Sequence, residues 1–319
     1  MTGNFPRQLV ISAIDIGSNS IHGMIASVDA KGGFNELFRD KESVRLGSGM
    51  KEGLIRKESI KASVDFLKKF KAESGKYNAI ISAVATSAVR EANNKDEFLS
   101  SVKINTGIDV NVISGTEEAG LIYKGVSSAL PIFEKKTLII DIGGGSTELI
   151  LAEKGKILIL ESLKLGAIRT SNIFFENYIT SSDKISDCKR HIHNVMSESI
   201  GKIKKIGFDF VVGTSGTIQA LGRVVLNNIG KSSPKFLNGI SINSVDLLRV
   251  FNDIEMLKTP EKRAKIQGLE RNRADIITAG ELILQNFIKE LKIPRIIVSS
   301  YALREGIIID TYEKNSIIK

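Results

Sequence analysis

The sequence has one cysteine, three histidines and no tryptophan among its 319 residues. A single thiol excludes an intramolecular disulfide framework, and so few histidines argue against a Cys/His zinc site. Aromatic residues make up only 6% of the chain, and it carries neither an aromatic-rich RNA-binding stretch nor a helix-turn-helix pattern. These absences favour a protein of the reducing cytoplasm that does not bind nucleic acid.

Long hydrophobic runs are also missing. A bilayer-spanning helix needs about 18 consecutive apolar residues, whereas the longest apolar runs, such as the one from Leu9 to Ile16, are short. The first residues lack the charged start and apolar run of a signal peptide. We therefore expect a soluble cytoplasmic protein with no membrane partner.

The charge is biased toward basic residues. A formal charge of +9 and an isoelectric point near 9.4 suit a polyanionic partner, which could be nucleic acid, inorganic polyphosphate or a nucleotide with several phosphates, and charge alone does not choose among them. The basic residues are scattered along the chain, so an ordinary basic enzyme surface explains the charge equally well.

Length and pattern predict two α/β domains. A chain of this size exceeds a single hydrophobic core, and two domains of about 150 residues are expected. β-rich runs alternate with longer amphipathic stretches. The predicted strands are 9–15, 22–29, 79–86, 110–113, 137–141, 148–153, 156–163, 210–212 and 295–299. The predicted helices are 57–74, 87–106, 117–129, 182–205, 218–225, 245–258, 274–291 and 301–312.

Two segments repeat the same pattern. LVISAIDIGSNS begins at Leu9 and LIIDIGGGS begins at Leu138, and each places an apolar strand before Asp-Ile-Gly-x-x-Ser and a second strand. Two unrelated hairpins would also fit, but the repeated order favours a duplicated domain. The predicted domains are 1–130, with segment 301–319 returning to it, and 131–300.

Both repeated turns are candidates for phosphate binding. A tight glycine and serine turn presents several backbone N–H groups, and its small side chains let a phosphate approach closely. Two such turns facing each other across a cleft would hold a phosphate chain. The candidate residues are Asp15, Gly17, Ser18, Asn19, Ser20, Gly143, Gly144, Gly145, Ser146 and Thr147.

Three carboxylates near these turns are candidates for binding a metal ion. Asp15 and Asp141 end the two apolar strands, and Glu148 follows the second turn. Mg²⁺ prefers a few carboxylates plus water, so these side chains can hold it against phosphate oxygens. For a single Asp, capping of the turn would be the better explanation, but Glu148 favours a metal.

A third anion site is predicted at Gly213, Thr214, Ser215, Gly216 and Thr217. This GTSGT segment follows a short strand and precedes a helix, whose N-terminus attracts anions. An ordinary helix cap is the alternative. Arg90, one turn into the helix after strand 79–86, can clamp a phosphate bidentately, and Arg169 is a weaker candidate of this kind.

Two acidic residues are candidates for activating a water molecule next to a bound phosphate. Glu117 and Glu118 begin a helix after the Ser114-Gly115-Thr116 turn, and a carboxylate can act as a general base. Acidic residues also stabilise helix N-termini by about 0.3–1 kcal/mol, and spacing alone favours that capping role.

In combination these motifs resemble one family. IDIGSNS, AVATSAVREA, ISGTEEAGLIYKGV, IDIGGGSTELI, LGAIR and GTSGT match the exopolyphosphatase and guanosine pentaphosphate phosphatase family in order and spacing along the chain. The resemblance implies a duplicated, actin-like pair of ribonuclease-H-like domains with an interdomain cleft. It also implies hydrolysis, dependent on Mg²⁺ or another divalent cation, of the terminal phosphate of polyphosphate or guanosine pentaphosphate.

The resemblance also assigns roles to single residues. It makes Glu118 the base and leaves Glu117 as a cap, makes Arg90 a catalytic and phosphate-binding arginine, and associates Asp141 and Glu148 with the metal. Longer members carry further C-terminal helical domains, so we expect limited processivity, and a homodimer is one way to extend the groove. The alternatives are a non-catalytic polyphosphate or alarmone binder and, less favoured, an actin-fold kinase.

Overall fold

The computed structural model describes residues 9–30, 32–50, 52–231 and 237–316. The chain divides into two compact units. Unit 1 contains the described residues up to Ser114 and those from Leu303 onward, and unit 2 is Gly115–Ala302. Each unit is built around one mixed β-sheet.

Unit 1 contains a five-stranded sheet in the order β3-β2-β1-β4-β5, and unit 2 a six-stranded sheet in the order β10-β11-β9-β6-β7-β8. The strands are β1 (Leu9–Ile16), β2 (Ile21–Val28), β3 (Phe34–Glu42), β4 (Ile80–Ala85), β5 (Val110–Val112), β6 (Thr137–Ile142), β7 (Thr147–Glu153), β8 (Lys156–Leu163), β9 (Phe210–Thr214), β10 (Ser241–Asn243) and β11 (Arg295–Val298).

Helices flank both sheets, and none that the structure describes is long and apolar enough to cross a membrane. They are α1 (Lys57–Lys76), α2 (Ser87–Glu91), α3 (Lys95–Thr106), α4 (Gly115–Ala129), α5 (Ala167–Phe174), α6 (Ser182–Ile206), α7 (Ser215–Asn228), α8 (Ser244–Met256), α9 (Pro260–Arg263), α10 (Ile277–Leu291) and α11 (Leu303–Ser316). Short 3-10 turns lie at Leu46–Gly49, Glu176–Tyr178 and Arg271–Arg273.

The two sheets repeat one plan. β1 pairs antiparallel with β2 and parallel with β4, and β6 pairs in the same way with β7 and β9. The turns between the paired strands share a hydrogen bond: Gly17 N–H donates to the Ser20 carbonyl over 3.1 Å, and Gly143 N–H to that of Ser146 over 3.0 Å. The predicted duplication is therefore confirmed.

The boundary between the units differs from the predicted one near Leu130. It falls before Gly115, because α4 packs on β7 and β8 of unit 2. At the other end, α11 packs on β1 of unit 1. Residues 317–319 of the predicted returning segment lie outside the described residues.

Some elements differ from the pattern-based prediction. The predicted helix 87–106 breaks between α2 and α3, where the Asn94 side chain exchanges two hydrogen bonds of 2.8 and 3.0 Å with the backbone of Ile55. β3 was missed because it is a charged edge strand without apolar alternation. α5 occupies the segment predicted as a turn around Gly166.

Unit 2 contains a buried carboxyl group without a hydrogen-bond partner among the described residues. Glu281 of α10 is fully buried, and neither of its carboxylate oxygens has a hydrogen-bond partner within the described part of the chain. Burial, reinforced by Glu255, raises the pKa of this carboxyl well above its usual range. The unfolded chain ionises near the ordinary value of 4.5. The stability that protonated Glu281 provides is therefore lost as the pH rises from that value toward the folded pKa.

Replacing this carboxyl by a neutral amide removes the ionisation. We expect Glu281→Gln to unfold at a temperature at least about 2 °C above wild type at pH 8 and to lose that advantage near pH 4. Glu290→Gln is the control on the same helix. Lys204 lowers the pKa of Glu290, so the ionised form of this carboxylate stabilises the fold and its loss should not raise the melting temperature at pH 8. Calorimetric melting temperatures across this pH range check the prediction, and an equal gain at both pH values would contradict it.

Candidate active site

A row of polar side chains crosses the sheet of unit 2. The strand register places Thr214, Asp141, Glu148 and Ser162 side by side on β9, β6, β7 and β8. Residues directly opposite each other on neighbouring strands point to the same face of a sheet. Asp141 is 7% exposed and Glu148 is 1% exposed, and the Ser162 hydroxyl donates to Glu148 Oε1 over 2.8 Å. Register thus builds a buried carboxylate pair next to the second glycine turn.

The equivalent row in unit 1 has different chemistry. Asp15 on β1 lies opposite His22 on β2, which in turn lies opposite Lys41 on β3. His22 therefore takes the position that Glu148 holds in unit 2. The sequence reasoning did not single out His22, because only the strand register places it beside Asp15.

The second glycine turn is held from behind by α5. The N–H groups of Ala167 and Ile168 donate to the carbonyls of Gly143 and Gly144, each over 2.9 Å. Arg169 Nε donates to the Gly145 carbonyl over 2.6 Å. Arg169, predicted as a weak phosphate ligand, therefore binds the turn itself. Among the described hydrogen bonds of residues 143–145, all three carbonyls accept a bond, and the only N–H that donates one is that of Gly143.

The first glycine turn is held in a comparable way. The Arg45 N–H donates to the Asn19 carbonyl over 2.9 Å, and the Gly47 N–H to the Ser18 carbonyl over 2.8 Å. Ser18 and Ser20 are 4% and 7% exposed, and Asn19 Nδ2 donates to Ser20 Oγ over 3.2 Å. In both units, a neighbouring segment binds turn carbonyls.

Gly166 lets α5 approach the second turn. A Cβ atom at Gly166 would lie 2.5 Å from both the carbonyl carbon and the oxygen of Gly144. Because those atoms are backbone, Gly166→Ala must displace the turn, and we expect kcat/KM for phosphate release to fall by about 10- to 100-fold. The control is Gly201→Ala, where a Cβ atom meets nothing within 4 Å. Unchanged activity in Gly166→Ala would show that the turn position is not critical.

The GTSGT segment forms the end of β9 and the start of α7, as predicted. The Thr214 hydroxyl donates to the Ser299 and Tyr301 carbonyls over 3.2 and 3.1 Å, and the Ser215 hydroxyl to the Ile142 carbonyl over 2.6 Å. The Thr147 hydroxyl likewise donates to Leu165. These three hydroxyls hold the backbone, so an anion at these turns would be bound by N–H groups.

Ser215 has a strained backbone. Its φ of 81° lies in the left-handed region, which non-glycine residues adopt at a cost and which clusters at functional sites. The hydrogen bond from Ser215 to the end of β6 fixes this conformation at the first residue of α7. The strain therefore occurs at the helix N-terminus where the sequence predicted an anion site.

Arg273 lies beside the GTSGT segment, although the sequence did not indicate it as a site residue. A Cβ atom at Gly216 would lie 1.9 Å from Arg273 Nη2, so the guanidinium lies directly against the first turn of α7. The Arg273 side chain is 11% exposed, and Glu270 is shared between Arg273 and Arg223 at 3.5 and 3.6 Å. A guanidinium beside a helix N-terminus attracts phosphate. No local pattern distinguishes Arg273 from its neighbour Arg271.

The two glutamates that begin α4 differ in burial. Glu118 is 7% exposed, whereas Glu117 is exposed to solvent. A Cβ atom at Gly115 would lie 2.5 Å from Ser162 Oγ, so the start of α4 lies against the side chain that binds Glu148. This difference in burial is consistent with the two predicted roles, in which Glu118 is the base and Glu117 caps the helix.

Arg90 lies in unit 1, in the helix after β4. It is half-buried, and its Nη1 donates to the Ile113 carbonyl over 2.9 Å. The Ile113 N–H donates to the Ala85 carbonyl, which places this contact at the ends of β4 and β5. This is the edge at which ligands bind in α/β sheets.

The donor set of unit 2 fits a magnesium ion. Within the described residues no three His, Cys, Asp or Glu side chains form a metal-binding group. Asp141 and Glu148 supply two carboxylates in direct cross-strand register. Mg²⁺ is commonly bound by one or two carboxylates together with water and phosphate oxygens, so this pair is sufficient.

Two sheets of matching strand order, each with a glycine turn after its first strand, define a duplicated, actin-like α/β fold. The carboxylate pair and the α4 glutamate belong to its second half. The chain belongs to the Ppx/GppA phosphatase family, whose model matches residues 24–315.

Similar proteins support this membership. A Haemophilus influenzae relative, provisionally named an exopolyphosphatase, is 32% identical over 96% of this chain and 92% of its own length. A guanosine-5'-triphosphate,3'-diphosphate pyrophosphatase of Vibrio vulnificus is also 32% identical, and the match spans 96% of this chain but 59% of that protein.

Solved structures of similar proteins also support membership of this family. An exopolyphosphatase from Cytophaga hutchinsonii has a TM-score of 0.88 and 28% identity, covering 96% of this chain and 98% of the other. The Aquifex aeolicus member of the Ppx/GppA family has a TM-score of 0.79 and 27% identity, with the same coverage.

Proposed function

We propose that the protein hydrolyses the terminal phosphoanhydride of inorganic polyphosphate, of guanosine pentaphosphate or of both, and releases orthophosphate. The observation that carries this proposal is the buried Asp141 and Glu148 pair beside a glycine turn, with the buried Glu118 on a helix packed against β7, the strand of Glu148, and against β8. The names of the two relatives and of the Cytophaga structure support these substrates.

In the proposed reaction, Glu118 accepts a proton from water as the water oxygen attacks the terminal phosphorus. The bond from that phosphorus to the bridging oxygen breaks, and the shortened chain leaves with the bridging oxygen. The N–H groups of residues 144–146 and of the α7 N-terminus bind the phosphate oxygens, together with Arg273.

Asp141 and Glu148 are proposed to hold a divalent cation. When bound, such a cation neutralises charge on the phosphate oxygens. The Ser162 hydroxyl orients Glu148 through the 2.8 Å hydrogen bond. In unit 1, Asp15, the first glycine turn and Arg90 stay predicted phosphate-binding residues, and Asp15 also stays a predicted metal-associated carboxylate.

The cytoplasm is the proposed location. The single cysteine, Cys188, is buried, and burial raises the pKa of its thiol to about 12. Such a thiol stays protonated at neutral pH and is unreactive, which suits a protein that needs no disulfide.

The first experiment is a phosphate-release assay with Mg²⁺. Tripolyphosphate, long polyphosphate, guanosine pentaphosphate and ATP are compared at equal concentrations of terminal phosphate, with chelator as a control. Release from any of the first three, lost with chelator, would support the proposal and rank the substrates. Tight binding without release would instead favour a non-catalytic binder, and release from ATP with transfer to an acceptor would favour a kinase. Sedimentation of the same preparation tests the homodimer.

A further inference from the structure

Arg263 of α9 is completely buried, and its guanidinium donates to three backbone carbonyls. Nε donates to Ala274 over 2.6 Å, Nη1 to Leu257 over 2.9 Å and Nη2 to Tyr178 over 2.7 Å. These carbonyls follow α8, precede α10 and lie in the 3-10 turn after α5. One side chain therefore connects three segments of unit 2.

The anchoring end of Arg263 is itself fixed. Tyr178 and the preceding Asn177 have φ values of 60° and 48°, which are left-handed and costly for non-glycine residues. The Tyr178 side chain packs against buried Ala167, Ile168 and Ile276. The carbonyl that accepts from Arg263 Nη2 therefore belongs to a packed turn with a strained backbone.

The Arg263 guanidinium also binds the residue that follows Arg273. Ala274, which accepts the 2.6 Å hydrogen bond from Arg263 Nε, directly follows Arg273 in the chain. The Arg273 guanidinium lies against Gly216 at the first turn of α7. Holding the Ala274 carbonyl therefore fixes the backbone from which Arg273 reaches the α7 N-terminus.

We propose that Arg263 is a positioning residue for phosphate binding and acts through Arg273. The proposal rests on the proposed function, because it takes Arg273 and the α7 N-terminus as ligands of substrate phosphate. Arg263 is buried and contacts only backbone carbonyls among the described residues, so it acts on the substrate indirectly, and its contact with Ala274 leads to Arg273.

A double-mutant cycle tests this dependence with Mg²⁺ and a substrate that the wild type hydrolyses. We expect Arg263→Lys to raise KM by about 10- to 100-fold, because lysine cannot bind three carbonyls in a fixed fork and Arg273 shifts. In an Arg273→Lys background, the same Arg263→Lys change should raise KM by less than about twofold. Phe251→Leu, a core change in the same unit, should lower the melting temperature and leave KM unchanged.

A second measurement tests the proposal if Arg263→Lys folds poorly. Added guanidinium ion should lower the KM of Arg263→Ala, whereas urea at the same concentration should not. An equal KM increase in both backgrounds, or no increase in either, would overturn the proposal. The cycle uses whichever of tripolyphosphate, long polyphosphate and guanosine pentaphosphate the wild type hydrolyses. If wild type neither binds nor hydrolyses any of the three, the proposed function fails together with this inference. If wild type is active but the substitutions at Arg263 and Arg273 have independent effects on KM, only this inference is overturned.

Discussion

Replacement of Glu118 by glutamine is expected to lower kcat by about 10²- to 10⁴-fold, the range attributed to a general base. The amide retains the size and one acceptor oxygen of the buried side chain, which is 7% exposed, but it cannot accept the proton of the attacking water. Binding of tripolyphosphate, measured by calorimetry, should remain within about threefold of wild type, because the loss falls on the chemical step.

The neighbouring glutamate provides a matched control. Glu117 lies on the same first turn of α4 but is exposed, so Glu117→Gln should retain activity within about twofold and lose only a fraction of a kcal/mol of helix stability. Full activity in Glu118→Gln would remove Glu118 from the mechanism. Loss of activity only in Glu117→Gln would move the role to that residue.

Glu148→Gln is expected to have the second large effect. Glu148 is 1% exposed and lies opposite Asp141, so the amide removes one of two proposed metal-binding carboxylates. We expect kcat/KM to fall at least about 100-fold at low Mg²⁺, with a higher Mg²⁺ concentration needed for half-maximal activity. Direct titration with Mn²⁺ by calorimetry should show weaker binding and provides a readout independent of turnover.

Two variants on β8 give this prediction its controls. Ser162→Ala removes the hydrogen bond to Glu148 and should raise the Mg²⁺ requirement less than Glu148→Gln does. Glu161→Gln changes the adjacent residue, which binds Ser199 and Lys202 on the other face of the sheet, and should leave the Mg²⁺ requirement unchanged. Equal Mg²⁺ dependence in wild type and Glu148→Gln would contradict the metal assignment.

The elements that carry the site were largely predictable. Strands β1 and β6 end in Asp-Ile and are followed by Gly, and their apolar runs and glycine turns are local signals of a buried strand followed by a tight turn. The same local chemistry repeated in both halves predicted the duplication. The GTSGT segment was likewise placed correctly between a strand and a helix.

Contacts between distant segments were not predictable in this way. The segment around Gly166 reads as a turn, but α5 forms there because its first N–H groups bind the carbonyls of Gly143 and Gly144. Arg273 and Arg263 look like ordinary surface charges in the sequence. Packing makes one a neighbour of Gly216 and buries the other completely.

The sequence by itself determined the family, the strand and helix order and the residues at the two glycine turns, because these depend on local backbone preferences and apolar periodicity. Only the tertiary structure decided which carboxylates form a pair, since Asp141 faces Glu148 whereas Asp15 faces His22 through strand register. It also decided that the Thr147, Thr214 and Ser215 hydroxyls bind backbone carbonyls and that Arg273 reaches α7. Register and long-range packing bring these groups together, and neither is encoded in any short stretch of the chain.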